Sequence, residues 1–92
     1  MEERIRRLCI KDAILFTLYL SEYIGLYTPD HPATKTVVLC GENKIVARVA
    51  PRTKIVFFPS TGTLYVDIEG EETRIELDME RLVKYLSERL EG

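Results

Sequence analysis

The side chain that most readily moves protons near neutral pH is histidine, and this 92-residue chain has one, His31, directly after Asp30. An Asp–His pair suggests acid–base work. Such a base must also reach its proton at hydrogen-bond distance and carry a tuned pKa. The dipeptide lies in Tyr27-Thr28-Pro29-Asp30-His31-Pro32-Ala33-Thr34-Lys35, a connecting loop stiffened by two prolines. None of Ser21, Ser60 and Ser87 sits in a nucleophile-elbow context. The chain contains no P-loop, dinucleotide glycine fingerprint, HExxH or CxxC. No catalytic residue is therefore assigned, and the expectation is a protein that is not an enzyme.

Metal and redox chemistry have equally little to work with. Cys9 and Cys40 are the only cysteines, too few for a structural zinc site of four ligands. They are expected to be two buried free thiols. The alternative is a Cys9–Cys40 disulfide, a bond that intracellular proteins of hyperthermophiles do form. Asp67, Glu69, Glu71 and Glu72 cluster without the spacing of an EF-hand loop, and read as an exposed acidic turn. No metal or cofactor is expected.

What must position any functional surface is the stretch from Thr36 to Leu77. Turn signals at Gly41-Glu42-Asn43, Pro51-Arg52-Thr53, Pro59-Ser60-Thr61-Gly62 and Glu69-Gly70-Glu71-Glu72 divide it. The runs between them, Thr36–Cys40, Lys44–Ala50, Lys54–Phe58, Thr63–Ile68 and Thr73–Leu77, are rich in β-branched and aromatic residues. This is the pattern of consecutive antiparallel hairpins, since each turn is too short for a parallel crossover.

Alternation puts Ile45, Ala47, Val49, Ile55, Phe57, Leu64, Val66, Ile68, Ile75 and Leu77 on one face. A four-residue Pro59–Gly62 turn pairs Phe57 with Leu64, Val56 with Tyr65 and Lys54 with Asp67. A three-residue Pro51–Thr53 loop sets Val49 opposite Ile55 and Ala47 opposite Phe57. The last hairpin is expected to pair Leu64 with Leu77, Val66 with Ile75 and Asp67 with Arg74. For the first strand, either Val37 and Leu39 or Val38 and Cys40 face the core. Both sets are apolar, so this strand is read as one that could be covered on both sides.

Residues 2–24 read as a helix with Ile5, Leu8, Cys9, Phe16, Leu20, Tyr23 and Ile24 on one face. A fresh start at Asp12, a good N-cap, is the alternative. The run Ala13–Leu20 is apolar nearly all round, which calls for burial on more than one side, against the sheet and against a second helix or subunit. Asp78 caps a last helix, Met79–Leu90, with a stripe of Met79, Leu82, Val83, Leu86 and Leu90. The resulting fold is one α+β domain over residues 1–92: a long N-terminal helix, a five-stranded antiparallel meander and a short C-terminal helix. A strongly curved sheet or barrel is the alternative.

The face opposite the core carries Val46, Val56, Phe58 and Tyr65, bordered by Arg48, Lys54, Asp67, Arg74 and Glu76. A face left to water would not gather that many large apolar groups, and such patches mark interaction surfaces. Either a helix covers it, or two copies pack through it or through the apolar helix. A further alternative is single-stranded RNA or DNA, with Phe58 and Tyr65 stacking bases and Arg48, Arg52, Lys54 and Arg74 holding phosphates. The basic run Arg4, Arg6, Arg7 and Lys11 is a second, weaker phosphate candidate.

Net charge is −2, which does not announce a nucleic-acid binder. The distribution is uneven: residues 1–61 hold nine Lys/Arg against six Asp/Glu, and residues 62–92 hold four against nine. A bipolar surface of this kind can orient subunits. The absence of Gln and the single Asn fit a thermophile. No apolar run approaches the ~20 residues that span a bilayer, and no secretory signal pattern opens the chain. The expected protein is cytoplasmic, a homodimer or other small self-assembly, or a binder of another protein.

Overall fold

The computed structural model describes residues 2–26, 36–49 and 52–92. The Asp30–His31 pair and its loop, and the turn residues Ala50 and Pro51, lie outside the described residues. The elements run α1 (Glu2–Lys11), α2 (Ala13–Tyr23), β1 (Val37–Cys40), β2 (Ile45–Val49), β3 (Thr53–Phe58), β4 (Thr63–Ile68), β5 (Glu71–Glu76) and α3 (Met79–Leu90).

The expected single N-terminal helix is two. Asp12 interrupts it with extended dihedrals, φ −156° and ψ 91°. Its carboxylate accepts the Leu15 N–H at 3.1 Å. An aspartate gains more by capping than by continuing a helix, so the chain restarts there. The break lets α1 contribute Ile5, Leu8 and Cys9 to the core while α2 contributes Phe16 and Leu20. At its far end α2 stops in paired bonds, Gly25 N–H to the Glu22 carbonyl at 3.1 Å and Leu26 N–H to the Ser21 carbonyl at 2.8 Å. This is the Schellman arrangement.

The sheet is an antiparallel meander in the order β1-β2-β3-β4-β5. It is open, with β1 and β5 as its edges, so the barrel alternative does not hold. Side chains of all three helices fill the inner face, and the sheet does not have to close on itself to make a core. Ile45, Ala47, Val49, Ile55, Phe57, Leu64 and Val66 are buried there with Ile5, Leu8, Phe16, Leu20, Leu82 and Leu86. Ile75 and Leu77 pack at its margin, while Ile68, also assigned to this face, is exposed. The helix bounds expected for α3 are the observed ones, and Asp78 accepts the N–H groups of Glu80 and Arg81 at 3.1 and 3.4 Å.

Register follows the expected faces and departs from two of the expected pairings. The β3–β4 pairs are as anticipated: Phe57 with Leu64, Val56 with Tyr65, Lys54 with Asp67. Between β2 and β3 the pairs are Val49 with Thr53, Ala47 with Ile55 and Ile45 with Phe57, displaced by two residues from the expectation. The β4–β5 hairpin is displaced likewise, pairing Leu64 with Ile75 and Asp67 with Glu72. Its turn contains only Glu69 and Gly70, both at positive φ (53° and 88°), the primed geometry whose twist matches the strands. A shift of two leaves every side chain on its own face, which is why the core assignment survived both displacements. Arg74 consequently meets Tyr65 across the strands.

The β3–β4 turn depends on Gly62, at φ +75°. A Cβ there would lie 2.7 Å from the Leu77 carbonyl oxygen, and that contact is locked by the Leu77 N–H bonding the Gly62 carbonyl at 2.8 Å. Gly62→Ala is expected to lower unfolding stability by about 1–3 kcal/mol. A urea titration showing an unchanged midpoint would contradict the tight turn.

Candidate interaction surface

Both thiols are taken up in a Cys9–Cys40 disulfide, with the Cα atoms 6.1 Å apart. This corrects the expectation of free thiols. Cys40 must point inward to reach Cys9 on α1, and Val38, two residues back, points inward with it. Val37 and Leu39 are thereby turned outward, at 68% and 66% exposure. Among the described residues, β1 is therefore covered on one side only.

The helices lie on the inner face alone, so the outer face is a grid of side chains set by the strand pairings. One row across the five strands reads Val37, Arg48, Lys54, Asp67, Glu72. The next reads Leu39, Val46, Val56, Tyr65, Arg74. A third holds Phe58, Thr63 and Glu76 on β3, β4 and β5. Val46, Val56, Phe58 and Tyr65 are thus neighbours, as the alternation implied, and each is only partly buried. Phe58 and Tyr65 meet edge to face with centroids 6.0 Å apart, a preferred aromatic geometry. Val37 and Leu39, absent from the sequence-based patch, extend it to the sheet edge. The disulfide was the signal that could have placed them.

The four basic residues proposed as phosphate contacts are not equivalent. Arg74 Nη2 lies 2.6 Å from Glu76 Oε1 on the same strand. The hydrogen bond that Arg74 donates to the Glu76 carboxylate, reinforced by the charge of that carboxylate, holds the guanidinium above its ordinary pKa. Arg52 reaches Glu69 at 3.5 Å at the end of the sheet. Lys54 has Asp67 as its cross-strand neighbour, and Arg48 stands exposed on β2. Together with Glu72 and Glu76, the face is mixed in sign from strand to strand. At the N-terminus, Arg4 is committed to Glu91 at 2.6 Å and to Ser87 Oγ at 3.1 Å.

A second apolar surface lies on the helices. Thr17 and Ser21 are buried on α2, their hydroxyls donating to the Ala13 and Thr17 carbonyls at 2.9 and 2.8 Å. These back-bonds satisfy both groups within the helix. Ile14 and Leu15, on the other side, remain 39% exposed, beside an exposed Ile10. Packing of α2 against α1, α3 and β1 thus leaves part of its apolar girdle open.

Among the described residues, no three His, Cys, Asp or Glu side chains gather to hold a metal ion. Asp67 is engaged as a turn acceptor for the Gly70 N–H at 2.9 Å. Nor, among them, is any helix long and apolar enough to cross a membrane. Comparison with protein-family models, with curated proteins and with solved structures finds no match to this chain.

Proposed function

We propose that the protein is a non-enzymatic module that works by assembling with itself, as a homodimer joined through the outer face of its sheet. The observation that carries this reading is the run Val37, Leu39, Val46, Val56, Phe58 and Tyr65 on a face that, among the described residues, no helix covers. Val37 and Leu39, the most exposed of them, have the most to gain, full burial of an exposed side chain of this kind being worth roughly 1.5–3 kcal/mol. Five strands spaced ~4.8 Å apart and four to six residues long give a footprint of roughly 400–450 Å². That is small against standard interfaces of about 800 Å² per partner, and favours a dimer that forms at micromolar rather than nanomolar concentration.

The same apolar face would suit a different protein as partner, which is the broader form of this reading. Single-stranded nucleic acid is less well supported, because Arg52 and Arg74 are already paired with carboxylates and Glu72 and Glu76 share the face. The reading includes a cytoplasmic, thermophilic setting. The scarcity of amides supports the thermophilic part of that setting, and in a cytoplasm the intrachain disulfide fits a hyperthermophile alone.

Phe58→Glu tests the assembly. It places a charge at the centre of the face without touching the core, and is expected to convert the dimer to a folded monomer. Light scattering of the variant, with circular dichroism as the check on folding, reads the result. An unchanged particle mass would show that this face is not the interface.

A further inference from the structure

We propose that two copies of this chain pack outer face to outer face about a two-fold axis running along β3, which sets Arg48 of each copy against Asp67 of the other. This deepens the self-association reading and rests on it.

The order of charges across the strands points to this axis. On the outer face Arg48 (β2) lies to one side of β3, Lys54 lies on β3 itself, and Asp67 (β4), Glu72 and Glu76 (β5) lie to the other side. Arg74, the one cation on the acidic side, is neutralised within its own strand by Glu76. A two-fold axis along β3 exchanges β2 with β4 and β1 with β5 while keeping each row at its own height. Arg48 of each copy then lies against Asp67 of the other. In the apolar row, Val46 meets Tyr65 of the second copy, Val56 meets Val56, and Leu39 lies on the aliphatic stem of Arg74. Phe58 meets Phe58. Lys54 meets its own counterpart near the axis, with an Asp67 beside each ammonium.

The other way of stacking two such faces runs the axis across the strands, over the apolar row. It exchanges the outer rows within each strand. Arg48 would then oppose Lys44 of the second copy, the residue before β2 that shares its face by alternation, while Glu72 would oppose the Glu76–Arg74 pair. Like charges placed opposite one another disfavour association, and opposite charges fix register. The sheets' own twist offsets stacked strands by about 30°, which moves the β2 and β4 partners beside the axis by less than the spacing between successive rows along a strand. Pairing through the free β1 edge is the third arrangement, and it leaves Val56, Phe58 and Tyr65 uncovered.

Single-cysteine cross-linking separates the three. The only two cysteines are joined to each other, so a new thiol is the sole reactive one. Under the proposed axis, Val56→Cys should yield a covalent dimer with a short bis-maleimide, and Leu39→Cys should not, because its counterpart lies across the width of the sheet. Cross-linking of both variants would show the axis across the strands and overturn the proposal. Cross-linking of Leu39→Cys alone would show edge pairing and overturn it too. Phe58→Glu distinguishes this failure from that of the parent reading. If Phe58→Glu splits the dimer but Val56→Cys does not cross-link, the face is right and the axis wrong. If Phe58→Glu leaves the dimer intact, both fall.

Discussion

Phe57→Ala is expected to lower the unfolding free energy by about 3–5 kcal/mol, whereas Phe58→Ala, one residue along the same strand, should lower it by only a fraction of that. Phe57 is fully buried between its strand neighbours Ile45 and Leu64, and the helices close over it. Deleting its ring removes apolar contact and leaves a cavity that the surrounding side chains fill only in part. For a domain whose total stability is of the order of 5–15 kcal/mol, that loss brings the fold near its limit. Phe58 points the other way, onto the outer face, and loses little in the isolated chain. Denaturant midpoints for the two variants, compared at equal m-value, read the difference. Their effects on particle mass should run in the reverse order, provided Phe57→Ala is measured where it is still folded. Equal loss of stability would contradict the assignment of faces on β3.

Reduction of the Cys9–Cys40 bond is expected to cost about 3–4 kcal/mol. The bond closes a loop of sequence separation 31, and the chain-entropy relation for a loop of that length gives this magnitude. The consequence should be concentrated on β1. This strand is four residues long, pairs among the described residues with β2 alone and is fastened at Cys40 to α1. Hydrogen exchange under reducing conditions should show the β1 amides opening before those of β3 and β4. The double variant Cys9→Ala/Cys40→Ala serves as the check free of reductant. A midpoint indifferent to both treatments would mean the bond contributes nothing to the fold.

The two edges of the sheet are handled differently. Strand β5, Glu71-Glu72-Thr73-Arg74-Ile75-Glu76, is dense in charge, a common protection against unwanted strand pairing. Strand β1, Val37-Val38-Leu39-Cys40, carries no charge at all. The apolar outer residues of β1 adjoin Val46 on β2, so the unprotected edge and the uncovered face form one continuous surface. The proposed face-to-face dimer would cover the outward side chains of β1 together with the rest of that surface.

The meander was readable because its turns carry glycine and proline at short intervals and its strands alternate. The core face followed from parity alone, and parity is insensitive to the two-residue displacements that separate the observed pairings from the expected ones. Those displacements arise where turn chemistry was ambiguous. Glu69-Gly70 closes the last hairpin in two residues because Glu69 accepts a positive φ, which its side chain does not advertise. The split at Asp12 was visible as a capping signal, but the apolar spacing running through it favoured one helix. Val37 and Leu39 could not be placed from periodicity, since β1 is apolar on both faces. Only the link between Cys40 and Cys9 turns them outward. The patch of Val46, Val56, Phe58 and Tyr65 was legible for the same reason as the core, being its complement on the same strands.

The central claim is self-association, and the direct measurement is the mass of the unmodified protein by sedimentation equilibrium across the micromolar range. The account predicts a particle of twice the 10.6 kDa chain that dissociates on dilution, and a monomer at every concentration for Phe58→Glu. A wild-type protein that stays at the mass of one chain up to about 100 μM, well above the micromolar range expected from so small a footprint, would contradict it.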